Sequence, residues 1–225
     1  MKKTHSRDSG AWPSFIVVEG PIGVGKTALA EKLAARFRSS ATLEASNENP
    51  FLERFYEDRQ RGALPAQLFY LFNRTQQLEA LCQEDLFRPV RISDFLIARD
   101  RLFAEINLDA DELALYDQVA EQVAIDVPAP DLVVYLQAPV PVLKRRLSQR
   151  GAESGRLLDD EYLEKVADQY ARFFYEYDDS PLLIVNAAEI DPVNNDADFE
   201  ALFAQIRQTR RGRHFFNPVA AAALP

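Results

Sequence analysis

The chain has 225 residues, of which 47% are hydrophobic, and it carries a formal net charge of -9 at pH 7. That length suits one domain with a buried core, and the negative charge argues against a general binder of nucleic acids or of anionic membranes. The single cysteine, Cys82, excludes an intrachain disulfide, and we find neither the apolar core of a signal peptide nor a run of about 18 apolar residues. We therefore expect a cytoplasmic protein that does not enter membranes.

In chain order, the predicted elements alternate between strands and helices. We expect a disordered arm over residues 1–13, one folded domain over residues 14–210 and a tail over residues 211–225. Apolar and β-branched runs predict five strands, at residues 15–18, 41–44, 89–96, 131–139 and 181–187. Helical spacing of apolar residues predicts helices between them, at residues 26–38, from 51 onward, 65–87, 108–127, 140–150, 159–177 and 196–208. This alternation predicts an α/β fold, a three-layer sandwich whose five-stranded parallel sheet has helices on both faces.

The segment GPIGVGKT, between the first predicted strand and the first predicted helix, fits the phosphate-binding pattern G-x-x-x-x-G-K-[ST] of a P-loop. Gly20, Gly23 and Gly25 let backbone N–H groups point inward at phosphate oxygens. Lys26 reaches the β- and γ-phosphates, and Thr27 offers a hydroxyl to Mg²⁺. The chain has no N/T-K-x-D guanine signature and is too short for a large ATP-driven machine, so a small ATP-dependent kinase is the natural remaining class.

Further side chains are of types suited to phosphoryl transfer, and each has a plainer alternative. Asp94 ends an apolar strand pattern, which places a carboxylate beside Mg²⁺ in a P-loop fold or makes it an ordinary strand-end residue. Arg146 and Arg150 share a helix face and predict a short arginine lid that neutralises transition-state charge, unless they form a solvated basic face. Glu44 follows the second predicted strand, where it accepts a proton from a hydroxyl substrate or is a surface residue.

From about residue 15 to residue 206, the sequence resembles the deoxynucleoside kinases, especially the bacterial deoxyadenosine and deoxyguanosine kinases. The segments that carry the resemblance are FIVVEGPIGVGKTALA, LEASNENPFLERFYEDRQRGALPAQLFYLFNR, DLVVYLQAPVPVLKRRLSQRG and EYLEKVADQYARFF. The resemblance implies roles for the residues that match the family pattern. Glu44 matches the catalytic base that deprotonates the 5′-hydroxyl, and Tyr56 matches a tyrosine that holds the 3′-hydroxyl. Gln67 matches the glutamine that pairs with the edge of the nucleobase, and Phe103 matches an aromatic residue that stacks near it. Arg74 lies at a position that is Arg in some purine-accepting members, and Arg146 and Arg150 match lid arginines.

Three departures from the family pattern concern the active site, and one of them is Ala152 where relatives have a lid arginine after Gly, with Arg156 as the candidate to replace it. Where many members have Glu-Arg-Ser or Asp-Arg-Ser, this chain has SDF. Asp94 then takes the acidic role one position late, and Arg99 and Arg101 in the next turn are the candidates for the arginine that touches phosphate. The lid carboxylate that grips the 3′-hydroxyl in the family has no match in register, and Glu153 is the nearest candidate.

The expected reaction is transfer of the γ-phosphoryl group of ATP, with Mg²⁺, to the 5′-hydroxyl of a deoxynucleoside. Purine deoxynucleosides are favoured, and deoxycytidine stays open. A nucleoside monophosphate kinase of the thymidylate kinase kind is the competing enzyme, although its anionic acceptor needs no carboxylate base. A non-catalytic nucleotide-binding regulator is a third alternative, which the SDF segment supports. Because relatives are commonly dimers, we also expect a homodimer through the helices at 65–87 and 108–127.

Overall fold

The computed structural model describes residues 13–44, 48–83, 90–125, 127–149 and 158–218. Its strands are β1 (Phe15–Glu19), β2 (Ala41–Thr42), β3 (Arg91–Ser93), β4 (Leu132–Gln137), β5 (Leu182–Asn186) and β6 (Arg213–Phe216). Within these ranges the strands form one sheet in the order β2-β3-β1-β4-β5-β6, and every neighbouring pair is parallel. The predicted α/β fold with a parallel sheet is confirmed.

Helices cover both faces of the sheet. Those of the described ranges are α1 (Lys26–Phe37), α2 (Leu52–Glu57), α3 (Arg59–Gln83), α4 (Arg99–Asn107), α5 (Ala110–Gln122), α6 (Val140–Gln149), α7 (Asp160–Glu176) and α8 (Asp196–Gln208). None of these helices combines the length and the apolar character that a bilayer crossing requires. Their placement on both faces makes the fold a three-layer sandwich.

Among the described residues, two large apolar clusters lie one on each face of the sheet, and a smaller third cluster, with Leu71, Ala104 and Tyr116, lies between α3, α4 and α5. Val17 and Val133 belong to the cluster shared with α3, α4 and α7, while Ile16 and Val134 belong to the cluster shared with α1 and α8. Strands β1 and β4 are therefore buried on both faces, which explains why their sequences are nearly unbroken apolar runs rather than alternating ones.

The carboxyl ends of three neighbouring strands bring the polar residues together. The P-loop follows β1, Glu44 lies two residues after β2, and Asp94 directly follows β3. In a parallel sheet these ends lie along one edge, which is where ligands bind in open α/β folds. The fold thus places the residues predicted for chemistry on one side of the molecule.

The sheet has six strands rather than the predicted five, because residues 213–216, assigned to the tail from sequence, pair with β5 as β6. Gly212, with a φ of 65°, leads the chain into this strand. Arg213 donates to three carbonyl oxygens at the end of α7. Phe216 packs against the core while Phe215 is exposed. A four-residue edge strand with one inward aromatic residue offers too little apolar pattern for recognition from sequence.

The helices between β2 and β4 also differ from prediction. Helix α3 begins at Arg59 rather than at Pro65, because its first turns pack against α2 and this packing outweighs the preference of proline for a helix start. Helix α4 was not predicted at all, since its two first residues, Arg99 and Asp100, are charged yet buried. Helix α5 begins at Ala110, two residues after the predicted start, because the Asp109 side chain accepts hydrogen bonds in a capping box.

Candidate active site

The P-loop connects the carboxyl end of β1 to the first turn of α1. Gly20 has a φ of 148° and Gly25 a φ of 107°, values that strain any residue with a side chain. A side chain at Gly20 would also collide with the carbonyl oxygen of Leu136 on β4. Lys26 and Thr27 open α1, so both lie at the amino end of the helix, where backbone N–H groups favour an anion.

Thr27 and Asp94 form a candidate metal site beside this loop. The hydroxyl of Thr27 donates to one carboxylate oxygen of Asp94 at 2.6 Å. The other oxygen of Asp94 accepts from the backbone N–H of Glu44 at 2.8 Å. A hydroxyl and a carboxylate are hard oxygen ligands, and Mg²⁺ at kinase sites takes few protein ligands beside phosphate oxygens and water. The two side chains therefore fit the predicted Mg²⁺.

The carboxylate of Glu44 lies between two buried arginines. Arg99 donates from Nη2 to Oε2 of Glu44 at 2.7 Å, and Arg74 donates to Oε1. Arg74 also forms an ion pair with Asp100 of α4, so its guanidinium is bound by carboxylates at both ends. Burial by itself raises the pKa of the Glu44 carboxyl, but Arg74 and Arg99 outweigh burial and hold that pKa well below its ordinary value. Glu44 is consequently ionised at neutral pH.

A cavity of about 270 Å³ extends in front of Glu44. Four other side chains predicted to bind the nucleoside line it: Tyr56, Gln67, Arg74 and Phe103. Lys26 and Thr27 line the same cavity, so the residues predicted to bind phosphate and those predicted to bind the nucleoside meet there. Burial, and then the Glu44 charge, raise the pKa of Tyr56, which keeps its hydroxyl protonated and able to donate. Apolar walls with a few polar groups suit a flat base and its sugar.

Arg146 lies on the other side of the P-loop. Its Nη1 donates to the carbonyl oxygen of Val24 at 2.9 Å, and its Nη2 to that of Ala187 at 2.6 Å. It lines a second cavity, of about 290 Å³, together with Gly25 and Asn194. In this structure Arg146 therefore joins the loop to the segment after β5, rather than facing Glu44. The other residues predicted for the lid, Arg150, Glu153 and Arg156, lie outside the described residues.

A buried carboxylate that the sequence analysis did not single out lies beneath the P-loop. Glu19, at the end of β1, is fully buried. Its oxygens accept from the N–H of Gly20 at 2.9 Å, from the N–H of Leu96 at 2.8 Å and from the Tyr170 hydroxyl at 3.1 Å. Arg99 approaches the same carboxylate with its Nε at 3.5 Å. The sequence does contain one indication of this carboxylate, because Glu19 is a charged residue at the end of a wholly apolar strand. A charge buried there requires polar partners.

Comparison with known proteins adds to this geometry. Residues 16–210 match the deoxynucleoside kinase family. The deoxyguanosine kinase of Bacillus subtilis (strain 168) is 30% identical over 200 residues, which cover 86% of this chain and 96% of that protein. The deoxyadenosine kinase of Lactobacillus acidophilus is 28% identical over 194 residues, which cover 80% of this chain and 88% of that protein. A solved structure of M. mycoides deoxyadenosine kinase with bound dATP has the same fold, with a TM-score of 0.75 at 23% identity over 86% of this chain and 98% of that chain.

Proposed function

This chain belongs to the deoxynucleoside kinase family, and we propose that it transfers phosphate from ATP to the 5′-hydroxyl of purine deoxynucleosides. It is a kinase that phosphorylates deoxynucleosides. In the proposed step the bond between the γ-phosphorus and the bridging oxygen of ATP breaks, and ADP leaves with the electron pair. The 5′-oxygen of the nucleoside bonds to the phosphorus, and its proton passes to the carboxylate of Glu44.

The observation that carries the proposal is the cavity that Glu44 shares with Lys26 and Thr27. A proton acceptor and the side chains for the donor phosphates line one space, so a hydroxyl that binds at Glu44 has the γ-phosphate within reach. A nucleoside monophosphate is already an anion and needs no such acceptor, which favours a deoxynucleoside as substrate. Catalysis then depends mainly on positioning and on electrostatic stabilisation.

For the donor, we assign the β- and γ-phosphates to Lys26 and the backbone amides of the P-loop. Thr27 and Asp94 are the proposed protein ligands of Mg²⁺, which neutralises charge on these phosphates when it is bound. The second cavity, at Arg146, is the proposed site of the adenine, because it borders the loop on the side away from Glu44. Donor and acceptor thus approach the P-loop from different sides.

For the acceptor, the proposed roles are those that the family resemblance implies, and the lining of the first cavity by these residues supports them. Tyr56 is the proposed ligand of the 3′-hydroxyl, Gln67 pairs with the edge of the base, and Phe103 stacks near it. Gln67 is buried with its amide at the cavity wall, where a base with both a donor and an acceptor on one edge can pair with it. Arg74 and the relatives named deoxyguanosine kinase and deoxyadenosine kinase support a purine.

The experiment that tests this function is ADP release from ATP and Mg²⁺ across a panel of acceptors. The panel contains the four deoxynucleosides, their ribonucleoside counterparts and thymidine monophosphate. We expect turnover with deoxyguanosine or deoxyadenosine, and loss of turnover when the metal is chelated. Turnover with thymidine monophosphate alone would make the protein a nucleotide kinase, and ATP binding without turnover on any acceptor would make it a regulator.

Two proposals concern the protein in solution. We propose a homodimer through α3 and α5, whose exposed apolar side chains include Phe72 at 44% and Leu115 at 47% exposure. Light scattering should then give twice the 25.5 kDa of one chain, and a 25.5 kDa particle would exclude it. A cytoplasmic location, predicted from the use of one cysteine, is tested by cell fractionation.

A further inference from the structure

The first residue of α4 has a position that the roles assigned above do not use. Arg99 is 3% exposed and lines the cavity together with Lys26 and Thr27. Its Nη2 lies 2.7 Å from the Glu44 carboxylate. A guanidinium that binds the proposed base therefore lines the same cavity as the residues for the donor phosphates.

We propose that Arg99 contacts the phosphoryl group during its transfer, and so takes the arginine role that the SDF segment leaves without a residue. The inference rests on the proposed function, because it assigns one more residue to the same reaction. A guanidinium has five N–H donors in one plane, so Arg99 can keep one on Glu44 and direct another to a phosphoryl oxygen. Charge spreads over the equatorial oxygens of that group in the transition state, and a fixed cation stabilises it there.

The charges around the cavity favour an anion beside Arg99. Among the described residues that line it, three are cationic, Lys26, Arg74 and Arg99, and one is a carboxylate, Glu44. Arg99 and Lys26 line the same cavity, so an oxygen of a phosphoryl group bound there would meet both cations.

The Glu19 carboxylate lies within ion-pair distance of the Arg99 guanidinium. The Glu19 carboxylate accepts hydrogen bonds from the N–H of Gly20, in the P-loop, and of Leu96, just before α4. Its separation from the Nε of Arg99 is 3.5 Å. Because Glu19 is bound to the loop itself, it ties the guanidinium of Arg99 to the loop that binds the donor phosphates. Glu19 is thus a positioning residue for Arg99.

The other arginine considered from sequence, Arg101, provides a matched control. It lies two residues further along α4, with a side chain that is 55% exposed. Its ion pairs are with Glu105 of the same helix and with Asp117 of α5. Arg101 is therefore directed to the surface between α4 and α5, and its replacement leaves the cavity intact.

The test compares Arg99→Lys with Arg101→Lys, after wild-type turnover of deoxyguanosine has been measured. Lysine keeps the charge but loses the planar set of donors, so we expect Arg99→Lys to lower kcat by about 10²- to 10³-fold. The KM for the nucleoside should change by less than about threefold, and binding of aluminium fluoride with MgADP should weaken in parallel with kcat. Arg101→Lys should match the wild type. If Arg99 only neutralises Glu19 and Glu44, Arg99→Lys will keep kcat within about threefold of wild type, and the proposal is wrong.

A second variant covers the case in which Arg99→Lys does not fold. Arg99→Gln combined with Glu19→Gln removes one positive and one negative charge and leaves a neutral amide at each position. We expect this variant to melt near the wild-type temperature and to show the same loss of kcat, while retained kcat would overturn the proposal. Failure of the proposed function appears separately, as absent wild-type turnover of every deoxynucleoside. In that case the wild type, Arg99→Lys and Arg101→Lys are compared by their binding of aluminium fluoride with MgADP, a measurement that needs no turnover.

Discussion

The Glu44 carboxylate binds two arginines and yet is the proposed proton acceptor. Arg74 and Arg99 lower its pKa despite burial, so it is a weaker base than an ordinary glutamate. A weak base suits phosphoryl transfer with a loose transition state, because the hydroxyl proton becomes acidic only after the phosphorus bond begins to form. Orientation of the hydroxyl, more than basicity, is then the contribution of Glu44.

The lowered pKa of Glu44 predicts how activity depends on pH. Since the folded-state pKa lies below the ordinary 4.5, Glu44 stays ionised, and kcat/KM should not fall on its account between about pH 7 and 5. Arg74→Gln removes one of the two cations that pair with Glu44, and Asp100→Asn removes the other ion-pair partner of Arg74. In this double variant the pKa of Glu44 should rise, and the fall of kcat/KM on the acid side should begin at a higher pH. The measurement is kcat/KM against pH for both proteins, with Arg101→Gln as the control. If kcat/KM of the wild type falls with an apparent pKa near 6, and the double variant leaves that value unchanged, the lowered pKa of Glu44 does not explain the pH dependence.

The same shift has a consequence for stability. A carboxyl whose pKa is depressed by folding stabilises the folded state above its unfolded-state pKa, and this stabilisation is lost as pH falls through the folded-state value. The ion pairs of Glu44 with Arg74 and Arg99 therefore contribute fully at neutral pH and weaken only below about pH 4.5. At this site the Glu44 carboxylate, rather than a histidine, therefore contributes to the acid side of the stability curve.

Among the elements, α2 and α3 approach each other closely at Gly62. A side chain at this position would collide with the backbone of Phe55, the residue before Tyr56. Gly62 is buried, and its φ is not in the left-handed region, so the requirement for glycine here is one of space. The position of the proposed 3′-hydroxyl ligand thus depends on a packing contact between two helices.

Gly62→Ala tests that contact, because two effects of opposite sign compete. Alanine favours a helix over glycine by about 1 kcal/mol, whereas overpacking costs about 1 to 3 kcal/mol. We expect the collision to dominate, which lowers the free energy of unfolding and raises the KM for the deoxynucleoside as Tyr56 shifts. Urea denaturation and steady-state kinetics measure both, with Gln60→Ala, exposed in the first turn of α3, as the control. A more stable variant with an unchanged KM would show that the helices tolerate the added methyl group.

For the molecule as a whole, the sequence predicts the layers and the P-loop side of the site. Apolar runs and the glycine pattern are local signals, so β1, α1, β4 and the residues from Gly20 to Thr27 could be recognised directly. The resemblance to a family supplied the roles of Tyr56 and Gln67, and the cavity brings these side chains together. Local patterns were sufficient wherever one element determines the position of the residue.

The remaining parts depend on contacts between distant segments. Helix α4 has a polar sequence because its first residues, Arg99 and Asp100, face inward toward carboxylate and guanidinium partners on other elements. Strand β6 exists because β5 offers it an edge. No periodicity within either segment indicates such partners, which is why the sequence left α4 unassigned and the arginine role open between Arg99 and Arg101.

The turnover of Glu44→Gln with ATP, Mg²⁺ and deoxyguanosine tests the central claim most directly. Glutamine keeps the size of the side chain but cannot accept the proton of the 5′-hydroxyl. We predict that kcat falls by about 10²- to 10⁴-fold, while the Kd for the nucleoside, measured on a variant that melts as a folded protein, stays within about threefold. Turnover near the wild-type rate would remove Glu44 from the role of base and contradict the proposed mechanism.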